Sequence, residues 1–242
     1  CDWSSDVCSS DLYLIGKKYA EEDLPEVVRQ YEDFKSGKSK NVPKVPMELL
    51  TALDLSNDFM DYDSPNWFIY NNPLEIKKSC NNFYFFPSET YRFIQYLNSP
   101  KFISSLSNLT GCDNLIPDMG LHGAGWHIQG QGSKLNVHLD YCIHPKLKLQ
   151  RKFNLIYYLT PNWNTDWGGN LELWSHDKET NQPKELTTTI ENKFNRIILF
   201  DTSQNSWHGF SKSMTCPSDT YRKSIAMYYL VSPEASAVER NR

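Results

Sequence analysis

Three side chains in this 242-residue chain have the types and spacing to hold a metal. His138 and Asp140 stand in His138-Leu139-Asp140, and His208 stands in Ser206-Trp207-His208-Gly209-Phe210. Side chains alternate faces along a strand, so positions i and i+2 point the same way. His-x-Asp on a strand therefore presents an imidazole and a carboxylate together, and His208 is expected to arrive from a distant strand across a barrel. Two imidazoles and one carboxylate on one side of an ion suit Fe(II) and leave the opposite positions open for a co-substrate and dioxygen. His-x-Asp alone is a weak signal, because such pairs also occur in capped turns and on surfaces.

A second pair raises it. Arg222 and Ser224, again at i and i+2, open the apolar run 222–230 and share a face. If that face is the interior of a barrel, the guanidinium needs an anionic partner, since a buried unpaired charge is expensive. A planar fork binds a carboxylate bidentately. The C5 carboxylate of 2-oxoglutarate has that form, and the Tyr158 hydroxyl could reach it from a neighbouring strand.

The elements that must position these groups change character along the chain. Residues 1–12, CDWSSDVCSSDL, have neither helical nor strand period and resemble a translated sequencing adapter, so the native N-terminus is expected to lie outside the sequence. Residues 13–120 read as a helical and irregular region supporting the barrel. Within it, 24–34 and 47–53 can form helices, and 73–78 resembles a connector. Ser88 is placed to cap a helix over 89–97 with Tyr91, Ile94 and Leu97 inward. Ser99-Pro100 starts another, stopped by Gly111, with Phe102, Leu106 and Leu109 as its stripe. From 121 the chain turns to strand candidates at 121–128, 134–140, 153–159, 171–174, 193–201, 207–210 and 223–231. Helices first and short strands after predict an α+β protein, mainly β, with a sandwich or barrel core over 121–232 and a tail at 233–242.

Composition narrows the class. Hydrophobic content of 39% with 14% aromatics describes a folded globular chain. A net charge of −4, three of whose negatives are Asp2, Asp6 and Asp11, gives no basic field for nucleic acid. No apolar run approaches the length of a membrane span. The six cysteines show no CxxC pair, which fits reduced thiols and a cytoplasmic setting. The sequon Asn108-Leu109-Thr110 has no secretory context. His127 and Asn136 are candidates to face the pocket, with ordinary hydrogen bonding as the stronger reading of each. His144, Lys146, Lys148, Arg151 and Lys152 read as a solvated basic loop that could guide an anionic substrate. Cys142 reads as a buried thiol, Trp207 as a packing residue, Trp163 and Trp174 as wall or lip residues, and His122 and His176 as surface residues.

These motifs together resemble the Fe(II)/2-oxoglutarate oxygenases of the prolyl 4-hydroxylase type over residues 121–231. The runs that carry the resemblance are His138-Leu139-Asp140, His144-Pro145-Lys146, Ile156-Tyr157-Tyr158-Leu159, Gly168 to Trp174, Ser206 to Gly209 and Arg222 to Ser224. They are most similar to a bacterial and phage branch of that family. The resemblance implies a double-stranded β-helix (jelly-roll) core, Fe(II) on His138, Asp140 and His208, and 2-oxoglutarate bound by Arg222, Tyr158 and Ser224. It implies hydroxylation of a peptide or small-molecule substrate by dioxygen, with release of succinate and CO2 and with ascorbate as an added reductant. The carboxylate ligand separates this set from related halogenases, which lack it. The spacing from His208 to Arg222 exceeds that of the hypoxia-type enzymes, placing a longer loop, 211–220, near the site mouth. Substrate contacts are expected on the loops 130–133, 141–150, 162–169 and 211–220. Two readings compete: a jelly-roll binding module that has lost its chemistry, and a cupin-type metalloenzyme that does not use 2-oxoglutarate.

Overall fold

The computed structural model describes residues 12–15, 29–30, 33, 36–40, 47–202 and 205–234. Among the described residues, three α-helices, α1 (Met47–Asp58), α2 (Ser88–Leu97) and α3 (Pro100–Thr110), accompany twelve strands. The strands are β1 (Leu12–Ile15), β2 (Phe68–Asn71), β3 (Glu75–Cys80), β4 (Ile116–Pro117), β5 (Gly125–Gln129) and β6 (Lys134–His138). They continue as β7 (Gln150–Tyr158), β8 (Leu171–Asp177), β9 (Gln182–Ile190), β10 (Arg196–Asp201), β11 (Trp207–Phe210) and β12 (Arg222–Val231). All pairings are antiparallel, in the order β1-β10-β7-β12-β5-β3-β6-β11-β8-β9, with β2 on β3 and β4 on β12.

Strand β3 is the corner of this curled sheet. Lys78–Cys80 pair with β5, whereas Glu75 and Ile76 pair with β6. The two halves of the sheet thus face one another as in a jelly roll. Alternation on the central strands sorts the core into two layers. Phe153, Leu155 and Tyr157 of β7, Ile225, Met227 and Tyr229 of β12 and Trp126 and Ile128 of β5 face outward and pack beneath the helices with Ala52, Leu55, Ile94, Leu97 and Leu106. Ile156, Tyr158, Ile198 and Phe200 face inward and meet Leu171, Leu173 and Ile190. Covering both faces explains why β7 reads as the most apolar run.

Trp126 anchors the helical layer, with Phe59 stacked on it at 4.8 Å and Phe86 at 4.9 Å. Lys223 ties β12 to α1 by donating to the Ser56 carbonyl at 2.9 Å, a favourable place for a cation near a helix C-terminus. α3 follows its sequence signals. Ser99 accepts from Phe102 N, Pro100 occupies the first turn, and Gly111 (φ 66°) takes the left-handed cap position that costs other residues steric energy. Ser99→Ala should lower stability by about 1 kcal/mol, the usual worth of such a cap, read as a lower denaturant midpoint with unchanged slope.

The structure departs from the sequence reading at several places. The connector expected at 73–78 is strand β3, whose Glu75 and Lys77 are both buried and form a 2.9 Å ion pair. Charged inward positions hide the apolar alternation that announces a strand. β9 was also unexpected, because this edge strand is largely exposed and polar on both faces, and so was β1, four residues on β10. Ser88 does not cap α2. Pro87 takes the cap position, and Asp58 at the end of α1 accepts from Thr90 N and Oγ1 instead. Tyr91, expected inward, is 46% exposed, and Thr90 is buried in its place. Leu109 also stays exposed. The helix expected at 47–53 runs on to Asp58. Of the helix expected at 24–34, all but Arg29, Gln30 and Asp33 lie outside the described residues.

Candidate metal and co-substrate site

His138 ends β6 and His208 lies on β11, and the two residues are direct partners in the antiparallel ladder. The expectation that His208 comes from across a barrel is therefore corrected. Paired residues on adjacent strands share a face and sit close together, so the ladder itself brings the rings to 4.5 Å between centroids. Asp140 follows just past the end of β6. Its Oδ1 is 3.7 Å from His138 Nε2, and its Oδ2 is 3.7 Å from His208 Nε2. One ligand atom from each of the three residues lies within 4.8 Å of the others, and all three residues are buried.

Each imidazole is oriented by its own backbone. His138 Nδ1 is 2.8 Å from Asn136 O, and His208 Nδ1 is 2.8 Å from Ser206 O. A carbonyl accepts only, so each Nδ1 carries a proton, and each Nε2 is the ring nitrogen turned toward Asp140. With Nδ1 held by a carbonyl, Nε2 is the nitrogen free to ligate a metal. Burial opposes charge on Asp140, but His138, His208 and Arg151 outweigh it and hold the carboxyl well below its usual range. A preoriented, ionised N2O donor set fits a divalent metal.

The second constellation lies on the other half of the sheet. Ser224 pairs with Tyr158 of β7 and with His127 of β5, so the three share the inner face. Arg222, two residues back on β12, faces the same way opposite Gln129. Its guanidinium is almost fully buried. Nε donates to Gly169 O at 2.9 Å and Nη1 to Gln129 Oε1 at 2.7 Å. Among the described residues no carboxylate pairs with it. Burial pushes the Arg222 guanidinium down from its usual range, with Tyr158 opposing. Burial likewise pushes the Tyr158 phenol up against the charge of Arg222, which lies 4.8 Å from its ring. The Tyr158 hydroxyl is buried beside the Arg222 guanidinium with no acceptor for its own proton, and Gln129 Nε2 is buried without a hydrogen-bond partner, among the described residues. A buried cation beside two orphaned polar groups fits an anionic oxygen ligand such as a carboxylate tail.

The turn at Gly168-Gly169 makes this close approach possible. Gly169 adopts φ 73°, and a Cβ there would lie 2.7 Å from Met214 Sδ and 3.0 Å from Arg222 Cδ. The 211–220 loop is tied down rather than loose. Met214 N donates to Ser133 O, Gly132 N to Met214 O, and Thr215 N to Trp167 O. Met214 and Cys216 pack with Phe210, Leu135, Trp163 and Trp167.

Other expectations divide. His127 lies on the inner face by its pairing with Ser224, whereas Asn136 is exposed and donates to Pro73 O at 2.9 Å. The solvated basic loop is corrected for three members, because Arg151, Lys152 and His144 are buried. Lys152 pairs with Asp201 at 2.6 Å, and His144 Nε2 lies 3.4 Å from Asp118 Oδ2. The Arg151 and Lys152 cations have found partners in the fold, which is what lets them leave water. His122 and His176 are only partly exposed: His122 packs on His144, and His176 accepts from Trp207 Nε1 at 3.0 Å. Cys142 is a buried free thiol as expected. Sequence reading missed Gln129 and Tyr228. The latter donates to Asp140 Oδ2 at 2.7 Å, and alternation from Ser224 through Ala226 to Tyr228 was the signal that would have found it.

Comparison with known proteins agrees with this geometry. Residues 124–230 match the family model described as the 2OG-Fe(II) oxygenase superfamily. Over that stretch the chain is similar to the 2OG-Fe(II) oxygenase superfamily and resembles its prolyl 4-hydroxylase-like members. The mouse (Mus musculus) protein named Prolyl 3-hydroxylase OGFOD1 is 32% identical over 79 residues, covering 33% of this chain and 14% of that protein. Its counterpart from Xenopus laevis is 31% identical over 65 residues, 27% of this chain and 12% of that protein. The match thus spans only a small part of these relatives' length. A crystal structure of a Pseudomonas putida prolyl-4-hydroxylase superposes with a TM-score of 0.51 at 12% identity, over 84% of this chain and 98% of that one. At that identity the likeness shows a shared fold, the jelly roll. No helix among the described residues is long and apolar enough to cross a membrane.

Proposed function

We propose that the protein is an Fe(II)- and 2-oxoglutarate-dependent dioxygenase that hydroxylates a prolyl residue of a peptide or a small molecule. The observation that carries this reading is the pairing of two sites on facing halves of one sheet. One is a buried His-Asp-His set with both Nε2 atoms turned inward. The other is a buried guanidinium with no carboxylate of its own. A binding module has no use for the first, and a metalloenzyme that does not take a dicarboxylate has no use for the second.

When bound, Fe(II) and 2-oxoglutarate supply the redox chemistry, in which dioxygen is consumed and succinate and CO2 are released. The chain's own groups supply geometry. His138, Asp140 and His208 would hold the metal through Nε2, a carboxylate oxygen and Nε2. Arg222 and the Tyr158 hydroxyl would hold the far carboxylate of 2-oxoglutarate, with Ser224 between them. Apolar walls at Leu171, Leu173, Ile198 and Phe200 keep water from the space between the half-sheets. Substrate recognition is assigned to the loops 130–133, 141–150, 162–169 and 211–220, and the names of the mouse and Xenopus laevis relatives favour a prolyl substrate. Free thiols at Cys80, Cys112, Cys142 and Cys216 suit a reducing compartment such as the cytoplasm.

The test is anaerobic titration of the metal-free protein with Fe(II) and then 2-oxoglutarate. A visible charge-transfer band is expected in the wild type and not in His138→Ala. A folded wild-type protein that gives no band would overturn the reading and bring the binding module forward.

A further inference from the structure

Tyr228 connects the carboxylate of the metal set to a buried network that the assigned roles leave unused. It lies on the inner face of β12, six residues beyond Arg222, opposite Asn154 of β7. Its hydroxyl donates to Asp140 Oδ2 at 2.7 Å, and Asn154 Nδ2 donates to the same hydroxyl oxygen at 3.2 Å. The direction of this chain is fixed by the amide. An NH2 only donates, so the Tyr228 oxygen accepts from Asn154 and its proton is turned to Asp140 Oδ2. The ring is fixed as well. The Arg151 guanidinium carbon lies 3.6 Å from the centre of the Tyr228 ring and 3.8 Å from that of Tyr141. Arg151 Nη2 is held in turn by the Tyr141 hydroxyl and the His122 carbonyl.

We propose that Tyr228 is a positioning residue for Asp140, with Asn154 setting its proton and Arg151 clamping its ring. Two oxygens on a carboxylate can rotate about the Cβ–Cγ bond, and each rotation offers a metal a different face. The bond to Oδ2 removes that freedom before a metal arrives, so ordering the ligand costs nothing on binding. This inference rests on the reading of His138, Asp140 and His208 as the metal set.

The experiment is Co(II) titration of the metal-free full chain, following affinity and the ligand-field bands, in wild type, His138→Ala and Tyr228→Phe. Outer partners of metal ligands are typically worth 10- to 100-fold in affinity. Tyr228→Phe should bind Co(II) weaker by about that factor, with displaced bands and a melting temperature, metal-free, near the wild type. Unchanged affinity and bands would overturn the proposal. So would weaker binding with wild-type bands and a lowered melting temperature, since that pattern marks a structural role only. If wild type and His138→Ala bind alike, the metal-site reading fails, and this inference falls with it for a distinguishable reason. Should Tyr228→Phe not fold, Asn154→Leu takes its place. It is expected to shift affinity and bands in the same direction by less, and wild-type values would refute the chain of bonds.

Discussion

Asp140→Ala is expected to abolish Fe(II)-dependent turnover and to remove the Fe(II)–2-oxoglutarate band while leaving the protein folded. The carboxylate is the one anionic member of the His-Asp-His set, and its place cannot be taken by a neighbour. Among the described residues, no other group of His, Cys, Asp or Glu is gathered closely enough to hold an ion. The fold should survive, because Asp140 sits just beyond the end of β6 and contributes no side chain to either apolar layer. Its removal takes away the Asp140 acceptor of the Tyr228 hydroxyl, at a cost of about 1–3 kcal/mol. It also relieves the burial of a carboxylate, which offsets part of that cost. Near-ultraviolet circular dichroism of the metal-free variant should therefore match the wild type. Succinate production that persists in folded Asp140→Ala would refute the assignment of Asp140 as a ligand.

The gathering of the candidate metal set was legible because its signal is local and periodic. His-x-Asp on a strand needs only the alternation rule, and Arg222 with Ser224 needs the same rule on another strand. What the rule does not contain is which strands are neighbours. His208 was expected from across a barrel, whereas the ladder places it directly beside His138. Pairing order is a non-local property, fixed by how β3 turns the corner between the two half-sheets, and β3 itself was hidden. Its Glu75 and Lys77 neutralise each other in the interior, so a buried strand carries a surface strand's composition. The same masking affected the stretch after the ligand strand. A run with His144, Arg151 and Lys152 reads as solvated until Asp118, the aromatic rings of Tyr141 and Tyr228, and Asp201 are seen to receive them. Charged residues whose partners lie far away in sequence are the ones that composition misplaces.

Arg222→Ala should raise the 2-oxoglutarate requirement with far less effect on metal affinity. Arg222 sits on β12, whereas the metal set belongs to β6, β11 and the residue just past β6, so the two ends of the site can be separated by mutation. A charge-assisted anchor of this kind is worth on the order of 2–4 kcal/mol, which converts to about 30-fold to about 1,000-fold in the 2-oxoglutarate concentration for half-saturation. The alanine also deprives Gln129 Oε1 and Gly169 O of their donor. Some loss of stability should follow, and affinity is therefore to be measured on protein shown to be folded. Arg222→Lys separates charge from shape. A lysine keeps the positive charge but lacks the fork that reaches Gln129, Gly169 and a carboxylate at once. It should recover part of the affinity, and a full recovery would mean that charge alone, not bidentate geometry, holds the co-substrate. An unchanged 2-oxoglutarate requirement in folded Arg222→Ala would move the anchor elsewhere. The orphaned Tyr158 hydroxyl would then have to be explained by a ligand of another class.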